Sequence, residues 1–491
     1  MSPPRPDETQ PLLQQNPPDP HLRCPEHEPH KVEFGEKDAE DPQQWTIWWK
    51  YAVVAQVSAI AFFLPMASSI YAPASDIIAS DFRTSGSMLL WHQTGYVCML
   101  GIGPLFHAPM SETFGRRIVY LINLAIFTLL QIPVALSPNV ETFILLRTLS
   151  GFFGSVGVGN GGGSISDMLG LHERAKALGF YMIFPLLAPT IGPFISGLMV
   201  DRVDWRWLSW LNMLLAAFTT ILCYFFLYET RAVTILQQRQ KTLGKKYPQS
   251  SFFVEGASHD SFVSKIGKNS TRAVKILFTQ PIVLIMSIYQ ALVFSTMYSL
   301  YAKYSTIWQE PPYEFTKTQV GLAYLAPAVG FIVTGFFVVL VVDRLYNYIS
   351  RLNDDEEGRP EYRLPLATLG SASLPVSLFW FGWAIEKDMS WPTPLIAMVL
   401  FGVAQVSIFN PVQTYYIDAY TSNAASAVAA GAFLRSIVGG IVPLFVGPMF
   451  DKLGYGLGMS VFGILAVILM PAPVLFYYIG QRLREKFPFK G

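Results

Sequence analysis

The sequence predicts an all-α polytopic membrane protein, with twelve membrane helices in two pseudo-symmetric six-helix halves. Three observations carry that expectation. Of 491 residues, 52% are hydrophobic and only 14% charged, where a soluble domain holds roughly a quarter charged residues; the mean hydropathy is +0.36. Apolar runs of about 20 residues, the length that crosses a bilayer, recur twelve times. Five residues of the first half reappear in the second at one constant offset.

Residues 1–46 are rich in Pro, Glu, Asp and Gln and poor in apolar side chains, which predicts a disordered tail without a signal-peptide core. Within it Glu8–Leu13 (ETQPLL) fits an acidic dileucine sorting pattern, a pattern that also arises by chance. The apolar runs place spans 1 to 12 at 48–71, 88–107, 118–137, 141–166, 176–200, 207–228, 279–302, 319–342, 365–385, 392–416, 425–449 and 456–479. Residues 229–278 are a central polar loop between a first half, 47–228, and a second, 279–480. A shorter polar loop, 343–364, carries the acidic patch Asp354–Glu357, and 481–491 is a basic tail.

Basic residues set the orientation, because cytoplasmic loops accumulate Lys and Arg. With both termini cytoplasmic, that side holds 26 of the 35 and the opposite side seven; Arg147 and Arg435 fall inside spans. The sequon at Asn269 then faces the cytoplasm and stays unmodified. The cysteines, Cys24, Cys98 and Cys223, suggest neither a disulfide framework nor a metal site. No clustered basic-aromatic patch for nucleic acid is present, and no nucleophile-base pair or phosphate loop for an enzyme.

The repeat pairs Pro193, Gly197, Met199, Asp201 and Arg202 with Pro443, Gly447, Met449, Asp451 and Lys452, each 250 positions apart. Pro and Gly recur by chance in apolar helices; an acid-base pair at the same offset makes chance a poor account. Span 5 contains APTIGPFISG, Ala188–Gly197. Each proline removes a backbone donor and each glycine admits a close neighbour. Such a segment must lie against protein or a cavity, since lipid cannot satisfy freed backbone groups.

Arg147 lies seven residues into span 4, and Arg435 within span 11. A cation at that depth costs about 2.5–3.5 kcal/mol on insertion scales, so each should face the bundle interior and have a partner. Snorkelling to an interface is the plain alternative for Arg147. No Asp or Glu sits near the middle of a span, leaving His92, Asp76, Asp167 and Asp418 as titrating candidates. A histidine suits the task, whereas helix-end aspartates more often form structural salt bridges. Asn160, Tyr289, Gln290, Phe294, Gln405 and Asn410, polar or aromatic near the middle of facing spans, are candidate cavity residues for an amphipathic or aromatic organic molecule. The same side chains also serve as packing.

Several of these stretches resemble signatures of the major facilitator superfamily. GPxxxG in span 5 (Gly192, Pro193, Gly197, with Pro189 before it) resembles its antiporter motif. APMSETFGRR (Ala108–Arg117) is similar to its span 2–3 loop signature, with Glu112 for the usual aspartate, Ala108 for the first glycine and Thr113 for the first basic residue. Arg147 with Gly151 resembles its span-4 RxxxG. Longer stretches resemble the fungal twelve-span drug:proton antiporters: YAPASDIIASDF, DWRWLSWLN, YETRAVTILQQR, RPEYRLPLATLG, FNPVQTYYIDAY and SAVAAGAFLR.

The resemblance implies a major facilitator fold and a proton-coupled exporter of small organic compounds working by alternating access. It implies a latch of Glu112, Gly115, Arg116 and Arg117 with Asp167, a coupling group of Arg147, Gly151, Arg435 and His92, and a leak-tight kink at Pro189, Gly192, Pro193 and Gly197. No cofactor or metal is called for beyond the proton gradient. The partners are a small organic substrate, protons and the lipid bilayer, with the protein acting as a monomer in the plasma membrane. The dileucine pattern leaves a vacuolar or other internal membrane open. A proton-linked importer or facilitator and a non-transporting membrane sensor are the alternatives.

Overall fold

The structure, a computed structural model, describes residues 30–36, 38–248, 251–256, 262–353, 358–420 and 423–489. Glu8–Leu13 and Asp354–Glu357 lie outside the described residues. Among those described, eleven helical runs are long and apolar enough to cross a membrane, against twelve expected. Span 2 explains the difference. Span 2, Trp91–Phe114, is 24 residues long, but His92, Gln93, Thr94 and His107 dilute its hydropathy. All four are buried, so they face protein and cost nothing in lipid. The border between spans 11 and 12 also needs placing, since Pro443–Lys486 forms one helical run of 44 residues. As one helix it would be about 66 Å long, twice the bilayer core. The chain reverses within it at Gly454, whose φ of 73° and ψ of 175° are non-helical, and the Phe450 and Tyr455 rings meet across the reversal at 5.2 Å.

The twelve spans therefore run Ile47–Met66, Trp91–Phe114, Arg116–Ala135, Val140–Met168, Leu171–Met199, Trp207–Phe226, Pro281–Gln309, Lys317–Leu352, Pro365–Glu386, Pro392–Ala419, 424–453 and 455–486. Span 1 stops five residues early, after Pro65 in its last turn, and the chain turns through Ala72–Ala74 into a short helix, Ser75–Asp81. Spans 7 and 8 overrun their apolar stretches by about two and three turns of helix. The segment read as a loop, Ala108–Arg117, is helix on both sides of Gly115, the one residue between spans 2 and 3.

Packing follows a two-fold pattern. In the first half, span 1 packs on span 5, 2 on 4 and 3 on 6; in the second, 7 packs on 11, 8 on 10 and 9 on 12. The halves meet where span 2 lies against span 11 and span 5 against span 8, two contacts that the same symmetry exchanges. Large apolar side chains such as Leu129, Phe218, Phe336 and Ile468 remain exposed around the outside, as lipid-facing surfaces require.

The central segment and the tail carry structure of their own. Helices Ala232–Lys246 and Phe262–Thr279 lie at the end of the bundle that holds the termini; the second packs on spans 2 and 11 and buries Ala273, Ile276 and Leu277. Disorder is expected to residue 46, but the chain from His30 carries defined structure. Strand β1 (His30–Lys31) pairs in parallel with β2 (Phe252–Phe253). Arg239 donates to both oxygens of Asp38 at 2.7 and 3.1 Å and to Glu40 at 3.2 Å, with its guanidinium over the Phe34 ring. The tail is poor in apolar residues, but its acids find a basic partner 200 positions away, which local composition does not register.

Burial alone would raise the Asp38 carboxyl; hydrogen bonds from Arg239 and from the Glu40 and Gly35 amides outweigh it and hold the carboxyl below its usual 3.8. A carboxyl depressed on docking favours docking above its ordinary pKa, and the advantage fades as pH falls through the depressed value. The protection factors of the Val32 and Glu40 amides, exchange measured relative to the unstructured chain at the same pH, should therefore be flat from about pH 5 to pH 8 in the native chain and low throughout in Arg239→Ala. Equal protection in the two would show that the ion pair does not hold the strap.

Candidate functional site

Four groups of residues stand out: two inside the first half, one at the seam between the halves and one around Arg435 in the second. The first lies at the terminal end, at Gly115. Its φ of 100° is a conformation that glycine adopts without strain, and an added Cβ would lie 2.5 Å from a Glu229 oxygen. That carboxylate accepts from the backbone amides of Arg116 and Arg117 at 2.9 and 3.1 Å, and from Arg231 at 3.0 Å. It thus caps span 3, where an anion meets the helix dipole. The Arg116 side chain donates to Asp167 at 3.1 Å and to Ser111 at 2.7 Å, and Arg117 to the Tyr224 carbonyl at 2.8 Å. Glu112 is half-buried, within electrostatic reach of Arg116 and Arg231, and makes no ion pair among the described residues.

The sequence singled out five of these residues and missed Glu229, which lies in the YETR stretch just after span 6. A lone acid following a span on the basic side was the available signal. The second half repeats the arrangement: Arg363 pairs with Asp418 at 2.9 Å, and Arg484 grips both oxygens of Glu361 at 2.8 and 2.9 Å. Asp167 and Asp418 are thus salt-bridged. Asp76 is exposed in the short helix at the far end.

The second group surrounds Arg147, which is completely buried. It does not snorkel. Its guanidinium lies over the rings of Tyr71 and Tyr96, 4.7 and 4.4 Å from the centroids, and donates to the Ala67 carbonyl. Nε and Nη1 have no partner among the described residues. Aromatic faces and one carbonyl, rather than a carboxylate, thus hold the charge. Gly151 makes this geometry, because an added Cβ would meet the Tyr96 backbone oxygen at 2.5 Å. Spans 2 and 4 touch there, bringing Tyr96 under Arg147. His92 packs edge-on against the same Tyr71 ring at 5.7 Å and against Phe143 at 5.2 Å; its Nδ1 makes no hydrogen bond.

The third group is the seam at the end away from the termini. Span 5 holds Pro185, Pro189 and Pro193 within one continuous helix. Pro193 frees the Pro189 carbonyl, and the Ser69 hydroxyl donates to it at 2.7 Å. A Cβ at Gly192 would lie 2.6 Å from the Met66 oxygen, and one at Gly197 would lie 2.7 Å from both the Gly321 Cα and the Lys317 oxygen in span 8. Thr94 donates to the Gly440 carbonyl at 2.8 Å, and Ser305 to Ala72 at 3.4 Å. The halves are thus closed on each other at this end.

Arg435 is buried on span 11, 4.8 Å from the Phe409 ring and 5.7 Å from that of Phe294. Of the six predicted cavity residues, Gln290 and Phe294 join it. Gln290 reaches Gln413 at 3.5 Å beside Gly431, one turn from Arg435. The other four do not converge there. Tyr289 turns to Ser371 of span 9, Gln405 donates to the Met297 sulfur at 3.4 Å inside the second half, and Asn160 is buried in the first half with its amide unbonded among the described residues. Asn410 is buried in span 10, with no hydrogen bond tying it to the group. Residues in the middle of a span share depth but not azimuth, and the apolar runs do not resolve azimuth.

Two six-helix halves closed on each other at one end, each with an ion-paired terminal end and a buried arginine, define a polytopic carrier. A sequence model described as Major Facilitator Superfamily matches residues 57–443. The chain belongs to that superfamily. It is 34% identical over 470 residues to the efflux pump radE of Floropilus chiversii, covering 94% of this chain and 86% of that protein. It is also 34% identical to the MFS transporter cpaT of Aspergillus oryzae, covering 92% and 90%. The fold superposes on the xylose transporter XylE of E. coli, solved in a partially occluded inward-open conformation, with a TM-score of 0.64 at 14% identity over 88% of this chain and 97% of that one. The relatives and the fold are those of transporters.

Proposed function

We propose that the chain exports small organic compounds in exchange for protons, by alternating access, as a monomer in the plasma membrane with both termini cytoplasmic. The observation that carries this reading is the glycine contact between spans 5 and 8. With 26 of 35 basic residues on the terminal side, the closed end faces outward. Two helix backbones in contact there seal the path while the terminal end exchanges substrate. Similarity to an efflux pump over nearly the whole chain supports the outward direction. In this reading Arg147 senses the coupling proton, His92 across the Tyr71 ring is the titrating neighbour, and Glu112, beside the Arg116–Asp167–Glu229 brace, is the acid that latches to the other half.

One proton suffices. A pH unit supplies about 1.4 kcal/mol and 100 mV about 2.3 kcal/mol per charge, enough together for several-hundred-fold accumulation of a neutral solute. Purified protein in liposomes should move its substrate uphill when the compartment facing the outer end is made acidic, and a protonophore should collapse that accumulation to equilibrium. Accumulation that persists with the gradient abolished would exclude proton exchange. Counterflow favouring uptake down the proton gradient would instead establish a proton-linked importer.

A further inference from the structure

The geometry points to a substrate class: the group around Arg435 recognises a small planar organic monoanion, an aromatic carboxylate or phenolate, with the guanidinium on the anion and the Phe294 and Phe409 rings packed beside its aromatic body. This deepens the exporter reading and rests on it.

Arg435 is over nine-tenths buried, 11 residues along the helix from Ala424, about 16 Å of rise and so near mid-bilayer. Its five N–H donors meet no acceptor among the described residues, and Nε and Nη1 are sealed from solvent. Arg147 differs, since it donates to Ala67. No carboxylate approaches Arg435; the groups within its electrostatic reach are the neutral phenols of Tyr416, Tyr181 and Tyr298. A buried guanidinium with nothing to donate to is an incomplete arrangement. The rings it rests on stabilise the empty protein as a placeholder.

The surroundings specify the missing group. Gln290, one turn away beside Gly431, has an unused amide nitrogen and its partner Gln413 an unused amide oxygen; with the guanidinium's own donors added, donors outnumber acceptors and the occupant must accept. Phe294 and Phe409 are in ring contact, 6.1 Å apart and 30° from parallel, and together present an aromatic surface beside the guanidinium that suits a planar body. A single cation limits the charge to one, because a dianion would leave a charge unmatched in a low-dielectric site. The group also adjoins the moving boundary. On the next turn Ser436 abuts Gly101 of span 2, Gly439 abuts Phe294, and Gly440 abuts Cys98. Parting of the halves would expose the group to an entering substrate.

Equilibrium binding of radiolabelled benzoate, salicylate and indole-3-acetate to the full chain in nanodiscs tests this without a gradient, so its failure leaves the exporter reading standing. We expect saturable binding of at least one of these acids. Its neutral amide should compete at least about tenfold more weakly, a difference of about 1.4 kcal/mol, and benzylamine should not compete. Arg435→Gln should erase the preference for acid over amide, and Arg435→Lys should retain part of it because the charge stays but the planar fork is lost. The wild-type series decides the matter even where a variant fails to fold. An amide that competes as well as its acid, no saturable binding of any of the three acids, or an Arg435→Gln protein that keeps the preference would overturn the assignment.

Discussion

Arg147→Ala is expected to lower export by about 100-fold, or about 2.7 kcal/mol, while the protein still reaches the membrane in normal amount. The two halves of that expectation have separate causes. Arg147 has no carboxylate partner, so its removal strands no buried anion. What is lost is the pair of ring contacts, each about 0.5–2 kcal/mol, and one bond to Ala67. Against that loss stands relief of the cost of a buried cation, about 2.5–3.5 kcal/mol. The terms nearly cancel, and the fold survives. Coupling does not survive, because no other cation faces Tyr71, Tyr96 and the His92 neighbourhood among the described residues. Lysine should rescue poorly, since an ammonium cannot lie flat between two rings and still reach Ala67. Efflux from whole cells, normalised to membrane abundance, measures both parts. Full export by Arg147→Ala would reduce the residue to packing.

Gly197→Leu should also fold and fail to transport, for a mechanical reason. Its side chain would need to pass through the Gly321 backbone and the Lys317 carbonyl, both 2.7 Å from the first added atom. Backbone cannot move aside while spans 5 and 8 touch, so the variant is excluded from the state described here. It is not excluded from a state in which that end is open. A flux loss of at least about tenfold, or 1.4 kcal/mol, should accompany accumulation of the open form. Cys98 supplies the readout: it lies at the same boundary, half-buried, with Gly440 packed on its sulfur. A membrane-impermeant maleimide should label it faster in Gly197→Leu than in wild type. Unchanged flux and labelling would show that the glycine contact closes nothing.

The architecture was largely legible, because a bilayer writes itself into sequence as runs of one length and as an imbalance of basic residues. The burial of Arg147 was legible in the same way, from the cost of a cation in lipid, whereas the pairing of Arg116 with Asp167 follows from the family resemblance, and the sequence suggests a longer loop where Gly115 makes a tight turn. What stayed hidden was relational. Arg363 and Asp418 match Arg116 and Asp167, yet they stand 247 and 251 positions away rather than 250, so a fixed offset passes over them. Arg147 called for a partner, and its partners are two tyrosine rings, which no acid-seeking search would return. Asn160, Tyr289 and Gln405 were chosen by depth alone, and depth does not tell which way a side chain turns. The docked strap from His30 depends on Arg239, a contact made only once the chain has folded.

Three prolines in span 5 would suggest a joint, and the Ser69 hydroxyl argues for a splint. The carbonyl that Pro193 leaves bare is bonded by span 1, and Gly192 lets the two helices lie flush. Bending span 5 on its own would break that bond, so the first six helices should swing as one block, with flexure confined to their border with the other six. A transporter built this way would convert a local change of charge into displacement of a whole domain, because nothing softer lies between.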